Sequence, residues 1–125
     1  MFAIVSNQPV SHENGRHAVL VTGEAIKTGY GAVLRWDLAN GWDNGNDHGM
    51  FSYGSEPGVV KYYPRPAFFH LYYLQKFMGD VLLNSTLKGD PDIVVIPTAF
   101  HSGQVGATIV NMGSKQQIGR LNIEN

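Results

Sequence analysis

A chain of 125 residues with a formal charge of −1 and no cysteine has room for one ordinary domain, burying roughly two-thirds of its unfolded surface. Its nine Lys and Arg stand singly along the sequence, which gives no electrostatic footprint for nucleic acid or an anionic membrane, and the missing thiols exclude a disulfide framework, a thiolate metal site and a cysteine nucleophile. No segment approaches the ~20 apolar residues of a membrane span, and Met1–Ser6 lacks the basic start and the length of a secretory leader, so the sequence leaves the compartment open.

In chain order, Phe2-Ala-Ile-Val-Ser6 has the pattern of a short buried strand. Ser11 or Asn14 then caps a helix running to about Thr28, with Ala18, Leu20, Val21, Ala25 and Thr28 forming an apolar stripe that Gly23 interrupts. A second buried strand is expected over residues 31–37, because Ala32-Val33-Leu34 is a continuous apolar run. It opens into Trp36-Asp-Leu-Ala-Asn-Gly-Trp-Asp-Asn-Gly-Asn-Asp-His48, a stretch rich in amides, carboxylates and two indoles. Pro64-Arg-Pro66 starts a second helix reaching Asp80, whose wide apolar face joins Phe68, Phe69, Leu71, Tyr72, Phe77 and Met78. Beyond Gly79 the signal turns to β-branched runs at Val81–Leu83, Ile93–Ile96, Ala107–Asn111 and Ile118–Ile123, separated by turn residues. A β-α-β-α half followed by four antiparallel strands reads as two architectural pieces meeting near residues 79–81.

The mixture after residue 35 suits a sugar, since Asp and Asn bond hydroxyls while an indole stacks on a pyranose face. A Gly/Asn/Asp-rich surface loop built only for its turns has the same composition.

The ordered phrases Gly-Ala-Val-Leu-Arg-Trp-Asp-Leu38, His48-Gly-Met-Phe51 and Pro64-Arg-Pro-Ala-Phe-Phe-His-Leu-Tyr-Tyr-Leu74, followed by β-strands, resemble the C-terminal end of a (β/α)8-barrel glycoside hydrolase of the large retaining clan. The resemblance implies an α/β piece followed by an all-β piece. Residues 1–79 would be the closing strands and helices of a TIM barrel, and residues 80–125 part of an appended β-sandwich. A small complete α+β domain is the alternative. A whole barrel needs ~250 residues, so the chain is expected to be a fragment that associates with itself or with a missing N-terminal barrel portion. The parent is expected to be exported. Its implied reaction is hydrolysis of an oligo- or polysaccharide, in which the eighth strand supplies a wall of the sugar site.

Retaining hydrolysis needs two carboxyl groups ~5 Å apart. The resemblance places the acid/base upstream of Met1, and the segment corresponding to the seventh strand ends in amides, Asn7 and Gln8, where the nucleophile belongs. Glu13 is one candidate, but its position suits an acid in a helix's first turn. Asp37, at a strand's C-terminal end, is the better one. Substrate contacts are expected from Trp36, Asp37, Asn40, Trp42, Asp43 and His48. Trp36 stacks on the sugar or packs in the core, Trp42 forms a cleft wall or a lid over its own loop, and the amides hold hydroxyls or build Asx-turns.

No metal or cofactor is expected. Asp43-Asn-Gly-Asn-Asp47 lacks the EF-hand spacing and its distal Glu, and His12 and His17 fall out of the i, i+4 register. The chain is therefore read as part of a glycoside hydrolase, inactive alone. A non-catalytic carbohydrate-binding module and a structural interaction domain are the alternatives.

Overall fold

The computed structural model describes residues 11–35, 37–40, 49–55 and 57–124, with the backbone alone at Asn40. The strand expected at Phe2–Ser6 lies outside them. Helix α1 spans His12–Lys27. It starts where Ser11 is extended (φ −96°, ψ 168°) and its hydroxyl accepts the Asn14 N–H at 3.5 Å, with Glu13 in the first turn and Lys27 in the last, both matching the helix dipole. It ends in a Schellman arrangement. The Tyr30 N–H reaches the Ala25 carbonyl at 2.9 Å, the Gly29 N–H reaches that of Ile26 at 3.2 Å, and Gly29 takes the left-handed φ of 80° that such a cap requires.

After α1 come two short strands, β1 (Ala39–Asn40) and β2 (Phe51–Ser52), paired in parallel. Helix α2 spans Pro66–Phe77, with proline at its first position, where no N–H is needed. Three antiparallel strands follow: β3 (Val81–Leu82), β4 (Ile93–Ala99) and β5 (Val105–Asn111), in that spatial order. Ile96 pairs with Thr108 in the middle of the long β4–β5 ladder. The described residues therefore form two helices and an antiparallel sheet, an α+β arrangement.

The helices run side by side in the same direction. His12 and Gly15 near the start of α1 meet His70 in the first half of α2, and Ala18–Ala25 face Leu71–Met78 farther along. The sheet covers both helices through a core of Val19, Leu74, Ile96 and Val110, flanked by Leu20, Leu71, Met78 and Val94. Gly23, which interrupts the stripe in sequence, is where the sheet enters. It is buried, and a Cβ there would fall on Ile96 Cδ1. Arg16 fastens the same side, its Nη1 donating to the Asn111 carbonyl at 3.0 Å.

Three expectations need correction. Residues 31–35 form no strand: Val33 is 39% and Leu34 96% exposed. An apolar run becomes a buried strand only when a neighbour pairs its N–H and C=O groups, and no ladder among the described residues does so. Ile118–Ile123 is likewise unpaired and exposed. The aromatic face of α2 is not its buried face, because the helix buries Ala67 and Leu74 while Phe69, Tyr72, Tyr73 and Phe77 stay exposed. Those rings pack on one another along the helix, Phe68 on Tyr72 and Tyr73 on Phe77.

The turn after β4 is closed by Asp80, whose Oδ2 accepts the His101 N–H at 3.0 Å and lies 2.9 Å from His101 Nδ1. These bonds from His101 hold the Asp80 carboxyl below its ordinary range. A depressed carboxylate stabilises the fold above its unfolded pKa, and that contribution is lost as pH falls through the lower folded value. Acid titration followed by NMR is expected to shift the His101 amide and Asp80 carboxyl together, below the usual aspartate range, with little loss of global stability because both groups are exposed.

Candidate functional site

Parallel packing brings both helix N-termini to one end of the molecule, and among the described residues the buried polar Asn14 and Arg65 lie there, while Thr98 is buried at the other end beside Gly79. Asn14, one turn into α1 and 1% exposed, accepts Arg35 Nη2 on its Oδ1 at 3.0 Å. It does not cap the helix, which Ser11 does. The segment returning from α1 thus finishes with its guanidinium tied to the start of that helix. Burial pushes the Arg35 pKa down, and the nearby Asp37 carboxylate opposes the shift. Gly15, beside Asn14, lets α2 approach: a Cβ there would fall on the His70 ring. That ring is fixed by its Nδ1 donating to the Pro66 carbonyl at 2.8 Å and by an edge contact with His12, centroids 5.3 Å apart.

Asp37 is half-buried, and its carbonyl accepts the Met50 N–H at 3.1 Å. Its Oδ1 is buried and has no hydrogen-bond partner among the described residues. The Phe51 N–H continues the pairing to the Leu38 carbonyl at 2.9 Å, so β1 and β2 clamp the two ends of the segment 41–48. Arg65, 4% exposed, locks the far side, its N–H on the Met50 carbonyl at 2.9 Å and its Nη1 on that of Gly49 at 3.0 Å.

A second feature borders this end. Ser52 exchanges backbone bonds with Tyr62 (2.7 Å) and Tyr63 (2.9 Å), so two residues oppose one, and Tyr62 takes a left-handed φ of 64°. This bulge, costly for a bulky residue, presents Tyr53, Tyr62 and Tyr63 to solvent. The Lys61 ammonium lies 4.5 Å and 5.1 Å from the ring centroids of Tyr53 and Tyr62.

Of the residues expected at a sugar site, Asp37 is placed at this polar end and Asn40 is in β1. Trp36, Trp42, Asp43 and His48 lie outside the described residues. Glu13 is exposed in the first turn of α1, bonded to Arg16 at 3.5 Å. Its carboxyl is held below the ordinary range by the Ser11 hydrogen bond first and by its own backbone N–H next, a setting that favours the charged form at a helix start. Among the described residues no cluster of three His, Asp or Glu side chains has the makings of a metal site. No helix among them is long and apolar enough to cross a membrane.

Asn14, Arg35 and Arg65 were not legible as a polar cluster. Asn14 carries the signature of a cap, and the two arginines stand 30 residues apart in sequence. The run Tyr-Gly54 to Lys61-Tyr-Tyr63 shows its aromatics in sequence, but nothing there announces a bulge. No protein-family model, curated protein or solved structure matches this chain.

Proposed function

We propose that the chain is part of a carbohydrate-active protein, a barrel-type glycoside hydrolase, and that it supplies one wall of the sugar site from Trp36 to His48. The observation that carries this reading is the buried Asp37 Oδ1, which accepts no hydrogen bond among the described residues. A buried carboxylate oxygen is costly until a donor reaches it, and a sugar hydroxyl is a suitable donor. Its surroundings support the reading: a rigid Asn14–Arg35 contact behind it, two indoles in the adjoining sequence, and exposed tyrosines bordering the same end. Two parallel helices joined by a segment that returns along them also follow the order and direction of consecutive β/α units. On that basis residues 1–79 belong to a barrel's closing units and residues 80–125 to a sandwich.

The chemistry of such an enzyme is displacement at the anomeric carbon through an oxocarbenium-like transition state, with one carboxyl protonating the leaving oxygen and a second as nucleophile. Here Asp37 holds a hydroxyl and orients the ring; it does not complete a catalytic pair. Glu13 is fixed in a helix's first turn, so the pair is supplied by the rest of the enzyme. The test uses the chain alone on aryl-glycosides and polysaccharides. Expected are no turnover above an Asp37→Asn control, and oligosaccharide-induced NMR shifts centred on Arg35, Asp37 and Met50. Turnover abolished by Asp37→Asn or Glu13→Gln overturns the assignment of roles, and shifts absent with every glycan overturn the sugar site.

A carbohydrate-binding module without hydrolysis is the second reading, favoured by the tyrosines held around Lys61. Shifts confined to Tyr53, Tyr62 and Tyr63 select it.

A further inference from the structure

The hairpin that borders the polar end holds one cation over two exposed rings. Ser52 is fully buried, its backbone exchanges hydrogen bonds with Tyr62 and Tyr63, and its Oγ accepts the Gly54 N–H at 3.0 Å. Gly54 takes a φ of 91° and leaves no room for a side chain, because a Cβ there would lie 3.1 Å from Lys61 Cβ and 3.2 Å from its Cα. The stem of Lys61 is thus seated against the opposite arm of the hairpin, and its ammonium stands over the rings of Tyr53 and Tyr62. Among the described residues no carboxylate pairs with it. Tyr62 holds its ring there from a left-handed backbone, φ 64°, which a bulky side chain adopts only at a cost. Strain of this kind collects at ligand clamps. Glycine would take the same backbone freely, but it has no ring to present.

We propose that Tyr53, Lys61 and Tyr62 form a subsite for an acidic sugar, a pyranose that carries a carboxylate or a sulfate ester. The inference rests on the carbohydrate reading above and adds to it the charge of the sugar taken at this border. The ammonium and the phenol O–H groups donate to the anion. The tyrosines, 54% and 60% exposed, offer ring surface to the apolar face of the pyranose. A nucleic acid asks for several cations along its backbone, whereas Arg65, the next basic residue in the chain, is buried and bonded to the Gly49 carbonyl. A single ammonium beside flat apolar surface matches a ring that bears one charge.

A cello-oligosaccharide, the uronate made by oxidising its primary hydroxyls and its sulfate ester share one backbone and differ in charge. Each is titrated into the whole chain, with the amide shifts of Tyr53 and residues 61–63 as readout. At least one acidic form is expected to bind at least fivefold more tightly than the neutral form, and which of the two does so identifies the anion as carboxylate or sulfate. Lys61→Gln is expected to bring that form to the neutral affinity, and Lys61→Arg to keep the preference. Equal affinity for all three forms, a preference that survives Lys61→Gln, or shifts confined to Arg35 and Met50 overturn the inference and leave the carbohydrate reading standing. No shift anywhere with any of the three overturns both. Inorganic sulfate or a tetraglutamate peptide that shifts the same amides at the same concentration overturns the subsite, since a sugar ring then contributes nothing. The strain has a separate signature: Tyr62→Gly is expected to hold or raise the urea midpoint while weakening the acidic form at least fivefold. A lowered midpoint with unchanged affinity would show that the ring serves the fold, against the proposal.

Discussion

Replacing Ile96 by alanine is expected to lower the unfolding free energy by about 2–5 kcal/mol, the range for truncating a fully buried aliphatic side chain in a core that relaxes only partly. Ile96 is 1% exposed and sits at the centre of β4. It touches the notch left by Gly23 and packs with Val19, Leu74 and Val110, so one side chain joins the sheet to both helices. Because those few residues are the buried cluster among the described residues, a loss of this size is a large share of the stability of a domain this small. Urea denaturation followed by far-UV circular dichroism checks it. A midpoint unchanged within error would mean that the sheet and the helices do not share a core.

The second large effect is expected at the polar end. Asn14→Ala removes the acceptor 3.0 Å from Arg35 Nη2, and so one hydrogen bond of a half-buried guanidinium, a change of about 1–3 kcal/mol. Asn14→Asp keeps an acceptor and adds the opposite charge, so stability should be retained while Arg35 is held more tightly. The pair of variants separates a lost hydrogen bond from lost packing: if both destabilise equally, the contact with Arg35 is not what Asn14 provides. NMR shifts of the Arg35 side chain supply the local readout.

Elements whose signal is local follow the sequence closely. Helix α1 was expected to start at a cap of Ser11 or Asn14 and run to about Thr28, and it spans His12–Lys27 with Ser11 as the cap, because its cap, its dipole-matched ends and its Schellman stop each rest on contacts within about one turn of the chain. Strands β4 and β5 were expected from β-branched runs and are longer than those runs, since pairing extends the ladder across Pro97 to Ala99 and back to Val105. What depends on a partner was not legible. Ala32–Leu34 and Ile118–Ile123 have strand patterns, yet a pattern does not provide the neighbour that makes a strand. Phe69, Tyr72 and Phe77 look like a core face by spacing, yet the rings of α2 satisfy one another and leave the smaller Ala67 and Leu74 to be buried. Asp37 was singled out as lying at a strand's C-terminal end, a premise that residues 31–35 do not meet; it stands instead two residues before β1. The Asn14–Arg35 contact and the Tyr62 bulge arise from packing over distance, which no residue spacing encodes.

The proposed sugar-binding wall after Arg35 is tested most directly by a calorimetric or NMR titration of wild-type and Trp36→Ala chains with gluco-, manno- and xylo-oligosaccharides, paired with urea denaturation of both. Loss of a stacking indole is expected to weaken binding by about 1–3 kcal/mol while the denaturation midpoint stays close to that of the wild type. A Trp36→Ala chain that loses its cooperative transition, or that binds as well as the wild type, would contradict it.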